Sequence, residues 1–122
     1  MALDDAHDLI PAEIAADIPK LYATEKEEDP VALVKLFTPD SSWTWYLTEY
    51  DPKRKLAFGL TDGHERELGY VSIEELEEIT GPMGLKVERD VHWEPRRLSE
   101  IDEPGRGWRD RTPGTDPSGP RR

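Results

Sequence analysis

Cysteine is absent from all 122 residues. That single absence removes disulfide bridges, thiolate zinc sites and a cysteine nucleophile together, so any metal site has to be built from histidine and carboxylates. Positive charge is also scarce: 16 Lys and Arg stand against 27 Asp and Glu, a net charge of −11. Nonspecific nucleic-acid binding rests on Lys and Arg neutralising phosphates, so direct contact with nucleic acid is disfavoured. There is no long apolar run. The chain opens MALDDAHDLIPAE, acidic at once, which is neither a signal peptide nor a membrane span and places the protein in the cytoplasm with no membrane partner.

Several catalytic signatures are missing as well. Gly81-Pro82-Met83-Gly84 lacks both the lysine and the length of a phosphate-binding loop. His64-Glu65-Arg66-Glu67-Leu68 begins like a zincin motif but carries leucine where the second histidine must stand. His64 itself sits in a charged turn and is expected at the surface. No serine occupies a nucleophile elbow, which removes triad chemistry.

What is present is material for one modest core, since hydrophobic and charged residues each make up 35% of the chain. The expected organisation is a flexible N-terminus over 1–9, one domain over 10–101 and a disordered Pro/Gly/Arg-rich tail over 102–122. The tail holds four Pro, four Gly and five Arg, with Trp108 as its one large apolar group. Acidity is concentrated ahead of it: residues 1–101 carry 23 acidic and 11 basic side chains.

The domain is organised around Leu36 to Asp51, LFTPDSSWTWYLTEYD. Strict alternation there predicts a strand that turns Trp43, Trp45, Leu47 and Glu49 to one face and Thr44, Tyr46, Thr48 and Tyr50 to the other. Both indoles are expected in the core. Around this strand the pattern predicts a short helix at 11–17, on the spacing of Ile10, Ile14 and Ile18, and a first strand at 31–38. Strands follow at 55–62 and 67–71. Ser72-Ile73-Glu74-Glu75 has the form of a capping box, opening a helix over 73–79 that ends at Gly81-Pro82, where glycine permits a left-handed cap. A last strand covers 87–93, and Leu98 to Ile101 form one helical turn. The fold class is α+β: a single small domain with an antiparallel sheet of about five strands, packed on one face by two short helices.

The blocks PKLYATE, KLFTPDSSWTWYLTEYDP, FGL, ELGYVSIEELE, GPMGLKVERD and LSE, in that order, resemble the small bacterial family known only as domain of unknown function 2958. The resemblance covers roughly residues 18–101. It implies no activity and no cofactor. Members of that family look like accessory proteins of plasmids, phages and integrative elements, often near antirestriction or conjugation genes. A function shared across the family is then expected to involve some of Trp43, Trp45, Glu49, Glu67, Tyr70, Glu88, Arg89 and Asp90.

Two function classes follow. The first is a non-catalytic interaction factor of a mobile element, in an anti-defence or DNA-transfer context. Its acidic and aromatic surface, with Trp43, Trp45, Glu49, Tyr70 and Arg89 as binding residues, engages a protein partner such as a basic nucleic-acid-binding protein. Arg89, set among apolar neighbours, is expected to pair with Glu49, because charges on a core face are normally paired. The alternative is a small metal-dependent hydrolase or nuclease. In it Glu88, Asp90 and His92, at alternate positions of one strand, hold a divalent metal such as Mn, Mg or Zn, and Asp90 and His92 act with Glu49 and Glu67 in catalysis.

Overall fold

The computed structural model describes residues 8–101; the expectations for 1–7 and for the tail at 102–122 lie outside these. The chain runs through α1 (Ala12–Ala15), β1 (Val31–Ala32), β2 (Val34–Phe37), β3 (Thr44–Asp51), β4 (Leu56–Asp62), β5 (Arg66–Ser72), α2 (Ile73–Glu78), β6 (Glu88–Arg89), β7 (Arg96–Arg97) and a closing 3₁₀ turn, Leu98–Ile101. Five strands form an antiparallel sheet in the order β5-β4-β3-β2-β6, and β1 pairs with β7 beside it. This is the expected α+β architecture. No helix among the described residues is long and apolar enough to cross a membrane.

Apolar side chains at every second position direct one sheet face toward the helices. Val34, Leu36, Trp45, Leu47, Tyr50, Ala57 and Val71 meet Ile73 and Leu76 of α2, and Leu9, Ile10, Ala15 and Ile18 from the N-terminal segment. Among the described residues this core includes Leu9. On the opposite face Ala32, Leu60 and Leu98 form a second cluster, lined by Tyr46, Leu68, Trp93 and Ile101. Trp93 is fixed there by an indole Nε1–H donated to the Ala32 carbonyl at 3.0 Å.

Alternation fails at one place in β3. Leu47 pairs with Gly59, but the next partner, Phe58, faces Glu49, so Thr48 is an extra residue. Such a β-bulge inverts the side on which every later side chain falls. Trp45 and Leu47 keep the helix side, Tyr50 joins them, and Glu49 is turned to the other face. The prediction that Glu49 shares the tryptophan face is corrected by this one inserted residue. Gly59 is required opposite the bulge, because a Cβ there would stand 2.0 Å from the Tyr46 carbonyl oxygen.

Other expectations are trimmed. The first strand is broken at Leu33: Ala32 is buried in one cluster and Val34 in the other, so the chain rotates between them. The last strand is only Glu88–Arg89, because Asp90 turns the chain by accepting the His92 N–H at 2.9 Å on Oδ1 and the Trp93 N–H at 3.1 Å on its carbonyl. Helix α2 starts as predicted, with Ser72 Oγ accepting from Glu75 N at 3.2 Å. It ends on an extended Ile79 and not on a left-handed Gly81; among described glycines that conformation belongs to Gly84, at φ 85°. Trp43 is half-buried, with its ring stacked on Trp45 at 6.1 Å and met edge-on by the exposed His64 at 5.4 Å.

Candidate functional site

Glu88, Asp90 and His92 depend on one continuous strand to share a face, and that strand ends at Arg89. Glu88 and His92 are exposed, while Asp90 uses Oδ1 in its own turn and places Oδ2 3.6 Å from Lys35 Nζ. Among the described residues no group of three His, Asp or Glu side chains comes together to hold a metal ion. The proposed catalytic set is also dispersed. Glu67 lies on β5 at one sheet edge and Asp90 follows β6 at the other, four strand spacings or ~19 Å away. Among the described residues these side chains do not converge on one site.

Glu49 and Arg89 do not pair. Arg89 lies opposite Leu36, on the tryptophan side, and donates Nη1 to the Leu9 carbonyl at 3.3 Å, tying the N-terminal segment to the sheet edge. Glu49 is fully buried on the other side. Its Oε1 accepts the Tyr22 N–H at 2.7 Å, and its Oε2 accepts the N–H and the hydroxyl of Thr24 at 2.8 and 2.5 Å. The carboxylate thus organises the 20–30 loop across the sheet. Tyr22 is held with φ at 73°, a left-handed conformation that costs a side-chain-bearing residue ~1–2 kcal/mol. Its hydroxyl accepts from that of Tyr70 at 2.7 Å, and Tyr70 stands edge-on to Phe58 at 5.2 Å.

The five expected binding residues accordingly divide between two faces. Trp43, Trp45 and Arg89 lie toward the helices, whereas Glu49 and Tyr70 lie on the opposite side. Trp45 and Glu49 are buried and unavailable to a partner; Tyr70 is exposed. At the β3–β4 turn Arg54 Nε donates to Asp51 Oδ2 at 2.7 Å, and this bond holds the Asp51 carboxyl below the usual carboxylate range.

Exposed Met83 and Leu85 lie between the predicted helix over 73–79 and the predicted strand over 87–93. Between α2 and β6 the chain forms a small hairpin closed by a Thr80–Lys86 bridge and by Gly81 N donating to Leu85 O at 2.8 Å. It exposes Ile79, Met83 and Leu85, with Met83 79% accessible. Asp40, from the β2–β3 turn, braces this hairpin by accepting the N–H groups of Met83 and Leu85 on Oδ2 at 2.8 and 3.3 Å. Gly81 makes room for it, since a Cβ there would stand 1.8 Å from Asp40 Oδ1. The helix leading into the hairpin presents Glu74, Glu75 and Glu78 to solvent. An apolar leucine and methionine set among Gly and Pro was the available signal, and it is silent about the Asp40 contact because that residue is 43 positions away.

The model of a family described as "Protein of unknown function (DUF2958)" matches residues 9–103. No curated protein and no solved structure matches the chain.

Proposed function

The chain belongs to this family, and we propose that it acts in the cytoplasm as a non-catalytic interaction factor of a mobile genetic element, engaging a basic nucleic-acid-binding protein of host defence or DNA transfer. The observation that carries the reading is the braced 79–86 hairpin. Large apolar groups exposed on a loop that is held in place by a rigid scaffold are what a docking surface needs, and methionine is enriched in interface cores. Its setting supports a basic partner. Exposed Glu74, Glu75 and Glu78 stand on the preceding helix and the whole chain carries a net charge of −11, so a basic protein is attracted over distance and an acidic one repelled.

Affinity isolation with the tagged full-length protein from a bacterial lysate, at low and moderate salt, tests the reading. A basic protein is expected to be retained by the wild type and lost with Met83→Glu/Leu85→Glu. Recovery of nothing above background at both salts, or of the same proteins by the variant, overturns it.

A further inference from the structure

The chain has no cysteine and two methionines, Met1 and Met83, of which Met83 is among the described residues. Peroxides attack exposed thiols and thioethers first, so with no thiol present the placement of one thioether decides where they act. Met83 is 79% accessible, on the same hairpin as exposed Ile79 and Leu85. It sits in the turn that Gly84 N closes onto the Gly81 carbonyl at 2.9 Å.

The way this hairpin is held separates the sulfur from the fold. Asp40 Oδ2 accepts the main-chain N–H groups of Met83 and Leu85 at 2.8 and 3.3 Å, and Gly81 N donates to the Leu85 carbonyl at 2.8 Å. These bonds use main-chain atoms of the hairpin and leave the Met83 side chain out. Among the described residues Met83 belongs to neither core cluster. A chemical change at the sulfur therefore alters the displayed surface while the brace stays in place.

We infer that Met83 is a reversible oxidation site that switches docking at the hairpin, with hydrogen peroxide as the oxidant. A sulfur lone pair takes one oxygen as the O–O bond breaks, and the second oxygen leaves as water with both peroxide protons. Sulfur is oxidised by two electrons and the peroxide is reduced by the same two. The product is a polar sulfoxide in place of an apolar contact, a change that disrupts interfaces built on methionine. A thiol-dependent methionine sulfoxide reductase reverses it: the sulfoxide oxygen leaves as water while a dithiol closes to a disulfide. By linkage, a partner that prefers the reduced surface also shields the sulfur from the oxidant. This rests on the reading of the 79–86 hairpin as the docking surface and adds its regulation.

The test treats the full-length protein with hydrogen peroxide and follows residue 83 by peptide mass spectrometry, in buffer and in urea. Met83 in the folded protein is expected to oxidise within about twofold of its rate in the unfolded chain. The sulfoxide form is expected to unfold at the same temperature as the untreated protein and to keep the exchange rates of the amides at 83 and 85. In affinity isolation it is expected to hold about tenfold less of the basic protein retained by the untreated form. A methionine sulfoxide reductase with dithiothreitol is expected to restore retention. Met83→Leu keeps an apolar side chain and is expected to retain the protein with or without peroxide, which separates residue 83 from Met1. Oxidation at 83 about tenfold slower in the folded protein, a sulfoxide form that unfolds earlier, or peroxide sensitivity in Met83→Leu overturns the inference. Retention by the wild type that oxidation leaves unchanged removes the switch alone, whereas an untreated protein that retains nothing overturns the docking reading and the switch with it.

Discussion

Replacing Glu49 tests whether a buried carboxylate sets the path of the 20–30 loop. It accepts two main-chain N–H groups and one hydroxyl from Tyr22 and Thr24. Hydrogen bonds to a charged group contribute ~1.5–3 kcal/mol each, and a buried donor left without an acceptor costs ~1–3 kcal/mol. Glu49→Ala orphans two N–H groups and opens a void, so its cost is ~3–5 kcal/mol. That is a large part of the ~5–15 kcal/mol available to a domain of this size. Glu49→Gln keeps one oxygen for Tyr22 N but turns an amide nitrogen toward Thr24 N, and costs ~2–3 kcal/mol. Thr24→Val removes only the hydroxyl donor and costs ~1 kcal/mol. Urea unfolding followed by tryptophan fluorescence measures all three, and the order Ala, Gln, Val from most to least damaging is the signature. A Glu49→Gln cost below ~0.5 kcal/mol would refute the reasoning.

Further outcomes follow from the same structure. Tyr50 is buried, and that burial, reinforced by the charges of Glu77, Asp8 and Asp51, pushes its phenol up to about 12. Between pH 10 and 12 the unfolded chain loses this proton while the folded one keeps it, so stability falls as pH rises, by at most ~2–3 kcal/mol. Tyr50→Phe removes that part of the alkaline decline, as denaturation at stepped pH will show. Gly59→Ala drives a Cβ into the Tyr46 carbonyl and lowers stability by ~2–3 kcal/mol in the same urea assay. Asp40→Ala releases Met83 N and Leu85 N, so their amide exchange accelerates while global stability changes by no more than ~1 kcal/mol.

Much of the scaffold was legible because its signals are local. Alternation over 44–51, 56–62 and 66–72 and the Ser72 cap suffice for three strands and α2. The bulge at Thr48 was not legible: no glycine or proline marks it in β3, and the pattern Trp-Leu-Glu continues smoothly through it. From that residue follow the misplaced face of Glu49 and the missing pair with Arg89. The break at Leu33 was hidden likewise, because Ala32, Val34 and Leu36 are all buried although Ala32 belongs to a different cluster. Asp90 ended the last strand early through its own side chain, a competition between local turn and sheet that composition does not resolve. The hairpin site depends on Asp40, a contact between distant segments that only the fold brings together.

The proposed function places partner docking at residues 79–86. A photo-crosslinking amino acid placed at Met83, compared with one at Val91, measures this directly, since both side chains are exposed and neither is part of the core. Incubation with bacterial lysate is expected to give an adduct with a basic protein from position 83 and none from position 91. Equal labelling at the two positions, or adducts from position 91 alone, would contradict it.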